Sequence, residues 1–298
     1  MNLPGGLWVA LPTPFDADDG PDLDALSHLV QRLVGGGADV VVPLGTTGEA
    51  ASLDDDERDE VITICRRAAG DRPMVVGCGH PATHIAARLV QRARALGADG
   101  ALVATPYYNR PTQEGLVAHY ETIATTAPGF PLVAYDVPSR TGVSVALPTL
   151  QRLWRVDEVV ALKDSCGDVQ RYRDIVGTLP AGKALLGGDD SLALAAVASG
   201  AVGLVSVVGN VAPEATAAML RAALAGDVPR ATHAAEALAP LVRALFRESN
   251  PIPLKAALHL LGLCEAHVRL PLTAAHPTTV EELRQALAHL HEGAESSS

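Results

Sequence analysis

The chain is short of cysteine, of aromatic side chains and of positive charge, and each shortage closes off a class of function. Its four cysteines, Cys65, Cys78, Cys166 and Cys264, stand apart with no CxxC pair and no Cys/His ligand spacing. A disulfide framework and a structural zinc are therefore not expected, and a reducing cytoplasm is the natural setting. Lysine and arginine total 23 against 34 acids, a net charge of −11. That balance argues against a nucleic-acid backbone or an anionic membrane as partner, but not against small anions, which need only a local positive site. No apolar run is long enough to span a bilayer: GAVGLVSVVGNVA (200–212) is short and broken by glycine. The opening MNLPGGLWVALPTP has neither a basic n-region nor a small-residue cleavage site, so no secretory signal is expected.

What the chain does have is apolar residues, 48% of its 298, arranged as eight short runs. These are LWVAL (7–11), DVVVPL (39–44), PMVVG (73–77), GALVA (100–104), PLVAY (131–135), VVALK (159–163), KALLG (183–187) and GLVSV (203–207). Each is almost continuously Val, Leu and Ala, as parallel strands covered on both faces read. Between them lie segments of helical spacing, such as DLDALSHLVQRLVGGG (22–37), with Asp22 or Asp24 near the cap and glycines at the stop. Eight strand–helix repeats predict an α/β fold, a closed (β/α)8 TIM barrel, rather than an open doubly wound sheet. GCGHPA (77–82) lacks the third glycine of a dinucleotide-binding loop, and Gly77 and Gly79 are read instead as allowing a tight strand-to-helix turn. After residue 225 three helical stretches follow, 228–249, 250–263 and 278–290, the last opening on a T-x-x-E-type signal. The expected organisation is a barrel over 1–225, a C-terminal three-helix appendage over 226–292 and a disordered tail over 293–298.

In such a barrel the residues just after each strand share one rim, and active sites lie there. Those positions hold GTTGE (45–49), TPYYNRP (105–111), YDVPSR (135–140), KDS (163–165), GGDD (187–190) and SVVGN (206–210). Three of only five tyrosines, Tyr107, Tyr108 and Tyr135, fall on this rim. Lys163 ends a strand built for burial, where an unpaired ammonium is costly. A lone lysine at such a place usually snorkels to solvent. Grouped with tyrosine and threonine hydroxyls, it is also suited to attack a carbonyl and form a Schiff base. Tyr135 with Thr47 can relay the proton that an enamine step releases. Gly45-Thr46-Thr47-Gly48 can cradle one carboxylate, and Arg140 offers a fork for a second. Plainer readings stay open. GTTGE suits an ordinary turn with a helix-capping threonine, and Arg140 suits pairing with a surface acid. Asp189 and Asp190 are read as caps of the next helix rather than metal ligands, for want of a third ligand. His80 and His84 are read as surface helix residues.

Taken in order, ALPTPFD, GTTGEAASL, TPYYNRPTQEGL, YDVPSRTG, LKDSCGD, GGDDS, GLVSVVGN, NPIPLKAAL and VRLPLT closely resemble the dihydrodipicolinate synthase/N-acetylneuraminate lyase family of pyruvate-dependent class I aldolases. TPYYNRP, VPSRTG and NPIPLK resemble its synthase branch. The resemblance implies a lyase that condenses pyruvate with L-aspartate 4-semialdehyde to 4-hydroxy-tetrahydrodipicolinate, on the way to diaminopimelate and lysine. Lys163 would carry the pyruvate imine, with no further cofactor and no metal, and Tyr135, Thr47 and Tyr108 would form the proton relay. Thr46 and Thr47 would hold the pyruvate carboxylate, Arg140 that of the aldehyde, with Gly188 and Val205 shaping the pocket. Tyr108 would enter the site of a neighbouring copy, which implies a homo-oligomer, usually a tetramer. Other readings keep the same lysine: an aldolase for a 2-keto-3-deoxy sugar acid, N-acetylneuraminate or a hydroxyproline-derived acid, or a silent paralogue that only binds a 2-oxo acid.

The chain departs from the family pattern in three places. YNVPSRTG reads YDVPSRTG, which is expected to put Asp136 beside the site. KEATG reads Lys163-Asp164-Ser165-Cys166-Gly167, which alters the pocket wall. The polar and histidine positions of the lysine-inhibition pocket hold Asp55, Arg58, Pro81 and Ile85, with Tyr107 retained, so lysine inhibition is expected to be weak or absent.

Overall fold

The eight apolar runs are the strands of one closed barrel. The computed structural model describes residues 3–295, with side chains as far as residue 290. The strands are β1 (Gly6–Ala10), β2 (Val40–Val42), β3 (Val75–Gly77), β4 (Gly100–Ala104), β5 (Leu132–Asp136), β6 (Val159–Asp164), β7 (Ala184–Gly187) and β8 (Gly203–Ser206). All pairings are parallel, in the order β2-β1-β8-β7-β6-β5-β4-β3. The remaining seam is closed by the Val41–Met74 bridge and by Gly77 N donating to Pro43 O at 2.9 Å. Gly77 is required there for its size: a Cβ would stand 1.9 Å from Leu44 O, and at Gly79 one would stand 2.8 Å from Ala104 N. Neither glycine has a positive φ, so what both supply where β3 passes to α3 is room for close approach of the backbone.

Around the strands run α1 (Leu23–Gly35), α2 (Asp55–Ala69), α3 (Thr83–Ala95), α4 (Gln113–Thr126), the single turn α5 (Pro138–Thr141), α6 (Leu147–Leu153), α7 (Val169–Val176), α8 (Ala193–Ala198) and α9 (Pro213–Leu224). Their starts follow local chemistry. Asp22, not Asp24, caps α1 by accepting from Ala25 N, and Asp54 with Glu57 makes a full capping box on α2. The appendage is α10 (Val228–Leu245), α11 (Ile252–Leu260) and α12 (Pro277–Glu295). Helix α12 continues three residues into the span assigned to a tail, and residues 296–298 lie outside the described residues.

Strand alternation divides the core in two. One set of side chains fills the barrel, among them Trp8, Val42, Val133, Ala161 and Val205. The opposite set packs against the helices, which buries both faces of every strand. The appendage packs onto the barrel chiefly through α10, which lies along α9, while α11, buried from Ile252 to Leu258, is covered by α12 and α10.

Candidate active site

Lys163 is the penultimate residue of β6 and points into the barrel with Ala161, while Leu162 and Asp164 point out to the helices. Its side chain is only 7% exposed. The neighbouring strand pairs Tyr135 with Lys163, and the ammonium stands 4.1 Å from the centre of the Tyr135 ring. A cation over a ring face is stabilised without being neutralised. Among the described residues the ion pairs to buried carboxylates belong to Arg171 and Lys255, and Lys163 makes none. The next strand leaves the lysine room: at Gly188 a Cβ would lie 3.0 Å from Lys163 Cε and 2.0 Å from Ser165 Oγ.

A cavity of about 210 Å³ opens over this pair, lined also by Thr46, Thr47, Arg140, Gly188 and Asp189. It shares Thr46, Tyr135, Arg140 and Asn250 with a wider cleft of about 450 Å³ that reaches Tyr107 and Arg269. Thr47 is buried and Thr46 exposed in the turn after β2. Neither threonine caps a helix: the turn leads into a short 3₁₀ segment that lacks a side-chain cap, and Asp54 caps α2. Instead Thr47 Oγ1 accepts from Asn250 Nδ2 at 2.9 Å. Arg140 is exposed on α5 and donates to Asn250 O at 3.4 Å. Asn250 therefore holds both residues. Its Oδ1 is buried with no hydrogen-bond partner.

Most of the rim residues expected from the sequence thus meet, and two do not. Tyr108 is 94% exposed, has a positive φ of 71° and does not line the cavity of its own chain. Val205 lies in the barrel interior with Tyr135, and the residue of that segment which reaches the cavity is Val207. Asp136 is not beside the site. It follows Tyr135 on the strand, so it faces outward, where Arg171, Ser144 and Val145 N bind its carboxylate. Asp189 stands at the N-cap position of a short 3₁₀ turn, Asp190–Leu192, without a side-chain capping bond, whereas Asp190 accepts from Ser206 Oγ and Val207 N and anchors the end of β8. Desolvation holds the Asp189 carboxyl above its ordinary range, against the pull of Lys163. Asp136, Asp164 and Cys166 bring potential metal-ligand atoms within 4.8 Å of one another, but the Arg171 guanidinium contacts both carboxylates, so the cluster is ion-paired. Asn250 and Glu248 line the cavity from beyond the barrel strands, where strand-end reasoning does not look. The signal that could have found Asn250 is the NPIPLK motif.

An amine inside a cavity, with a tyrosine beside it and threonine hydroxyls and a guanidinium on the wall, is an arrangement able to support Schiff-base chemistry on a 2-oxo acid. The model of the dihydrodipicolinate synthetase family matches residues 3–290. The chain belongs to the dihydrodipicolinate synthetase family. A 4-hydroxy-tetrahydrodipicolinate synthase of Thermomicrobium roseum is 47% identical over 95% of this chain and 93% of its own. That of Methylococcus capsulatus is 44% identical over 95% and 97%. Among solved members of the family, the dihydrodipicolinate synthase of Aquifex aeolicus superposes with a TM-score of 0.94 at 40% identity, covering 96% of this chain and 98% of the other. A structure described as the first monomeric dihydrodipicolinate synthase variant gives 0.95 at 36% identity, covering 97% of each.

Proposed function

We propose that this chain condenses pyruvate with L-aspartate 4-semialdehyde to 4-hydroxy-tetrahydrodipicolinate, in the route to diaminopimelate and lysine, through an imine on Lys163. The observation that carries this reading is the unpaired Lys163 ammonium over Tyr135, inside a cavity that also presents Thr47 and Arg140. The relatives named for this synthase cover nearly the whole chain and support the same substrates.

The neutral lysine amine attacks C2 of pyruvate, and water leaves to give the imine. Loss of a methyl proton from C3 gives the enamine, which attacks the aldehyde carbon. The substrate amine then adds to C2, and Lys163 departs as the ring closes. Tyr135 and Thr47 move the protons, with Tyr108 of a second copy as the third member. Because Thr47 Oγ1 accepts from Asn250, its own proton is left to donate toward the reacting groups. Thr46 and Thr47 bind the pyruvate carboxylate and Arg140 that of the aldehyde, while Gly188, with Val207 in the place expected of Val205, sets the shape of the pocket. The catalytic unit is the barrel, 1–225, and the appendage, 226–292, completes it through Asn250. No further cofactor is needed.

Exposure of Tyr108 on a left-handed turn supports a homo-oligomer in which a second copy receives it, with a tetramer as the expected form. A cytoplasmic site of action fits the scattered cysteines. Among the described residues no helix is long and apolar enough to cross a membrane.

The test supplies pyruvate and aspartate semialdehyde and follows the cyclic product through a coupled reductase, with borohydride trapping in parallel. Lys163-dependent turnover and a pyruvyl mass adduct on Lys163 are expected. An adduct without product would mean a different aldehyde partner, and no adduct would mean a silent protein.

A further inference from the structure

The register that sets Tyr135 beside Lys163 also sets Asp136 beside Asp164 on the outer face of the same two strands. Both carboxylates are fully buried, and like charges directly opposite on adjacent strands repel. Arg171, from α7, answers both. Its Nε donates to Asp164 Oδ2 at 2.7 Å, and its Nη2 donates to Asp136 Oδ2 at 2.5 Å and to Val145 O at 2.9 Å. Asp136 Oδ2 is further held by Val145 N at 2.9 Å and Ser144 Oγ at 3.0 Å, and Asp164 Oδ1 by Cys166 N at 3.1 Å. Two of the three departures from the family pattern thus meet at one guanidinium, directly behind Lys163 and Tyr135.

We propose that Arg171 is a positioning residue for the Lys163–Tyr135 pair, bracing from outside the one cross-strand position whose inner face carries nucleophile and proton relay. A two-headed guanidinium fixes direction as well as charge, which an ammonium does not. Without it, repulsion between Asp136 and Asp164 acts on the two residues adjoining Tyr135 and Lys163. Small displacements of reacting groups cost large factors in rate.

The inference rests on the imine chemistry proposed above, so the readout is the rate of pyruvate imine formation, trapped with borohydride, in the full-length protein. In R171Q that rate is expected to fall about ten- to hundredfold while the final trapped fraction stays full. R171A is expected to regain much of the rate with millimolar guanidinium, and not with sodium or ammonium. R171K, which keeps the charge and loses the fork, is expected to fall between R171Q and the wild type. R66Q is the control for lost stability alone: Arg66 pairs with Asp99 at 2.9 Å and donates to Arg72 O, just ahead of β3 and β4 at the opposite end of the barrel. It is expected to lower the melting temperature without slowing imine formation.

A folded R171Q that forms the imine at the wild-type rate would overturn the proposal, as would equal slowing in R66Q at matched stability. If R171Q and R171A do not fold, R171K decides: a wild-type rate there removes the need for the fork. A wild-type protein that never traps pyruvate sinks the proposed function itself, which these variants would not do.

Discussion

Two lysines of this chain are buried, and they are buried in opposite ways. Lys163 and Lys255 each hold an ammonium about 4 Å from the centre of an aromatic ring, 4.1 Å from Tyr135 and 3.9 Å from Phe15. There the likeness ends. Lys255, 0% exposed on α11, lies 2.5 Å from Glu49 Oε1 and donates to His267 O at 2.8 Å. Glu49 in turn accepts from Arg269 N at 3.0 Å, so the pair ties the appendage to the turn that carries Thr46 and Thr47. Burial pushes the Lys255 ammonium below its ordinary value and Glu49 pulls it back. Its charge is committed to structure. Among the described residues Lys163 has no such partner, and it faces a cavity, so its amine is placed to bond a substrate. His119 shows a third way to bury a base: burial pushes its imidazole down to about 4, which keeps it neutral, with Nδ1 2.9 Å from Thr83 Oγ1.

The contrast is broken most sharply at Lys163. K163A is expected to keep its fold and melting temperature while losing turnover on the order of 10²–10⁴-fold, together with the borohydride adduct. Normal turnover would place the chemistry elsewhere.

K255M should do the reverse. It leaves Glu49 buried and unpaired, at a cost of about 3–5 kcal/mol, seen as a lower denaturant midpoint. The double variant E49Q/K255M is expected to recover part of that loss. Surviving molecules should still trap pyruvate on Lys163, and an adduct that vanished with Lys255 would reverse the two assignments.

His119 adds a dependence on pH. Its folded value lies below its ordinary 6.5, so its contribution to stability is complete above pH 6.5 and is lost as pH falls toward about 4. The loss is about 3 kcal/mol across that window. Denaturant midpoints measured from pH 7 to pH 4 should flatten in H119N, and an unchanged slope would mean that other groups control acid unfolding.

N250A removes the donor to Thr47 Oγ1 and should lower kcat about tenfold with little change in stability. An effect confined to stability would make Asn250 a packing residue only. The smallest effect is expected from the cleft beyond the site, where Arg58 donates to Ala50 O near Tyr107. Millimolar L-lysine should leave turnover essentially unchanged, and full inhibition at sub-millimolar concentration would refute this.

The barrel was legible because its signals are local: runs of Val, Leu and Ala alternate with helical spacing, and caps such as Asp22 and Asp54 act within three residues. Lys163, Tyr135, Thr47, Arg140 and Gly188 were legible once the strand ends were known to share a rim. Asp136 was misplaced although the period-two rule already put it on the face opposite Tyr135. Asn250 could not be placed from strand ends, because its bond to Thr47 spans 203 residues and starts outside the barrel.

By itself the sequence determined the order of strands and helices, and with it the set of side chains able to gather around Lys163. Short-range periodicity and capping carry that information. Only the tertiary structure decided which buried lysine is neutralised and which is left free, which acids share Arg171, and that Tyr108 turns away from its own cavity. Those outcomes depend on burial and on charges brought together from distant parts of the chain, and no local pattern encodes such distances.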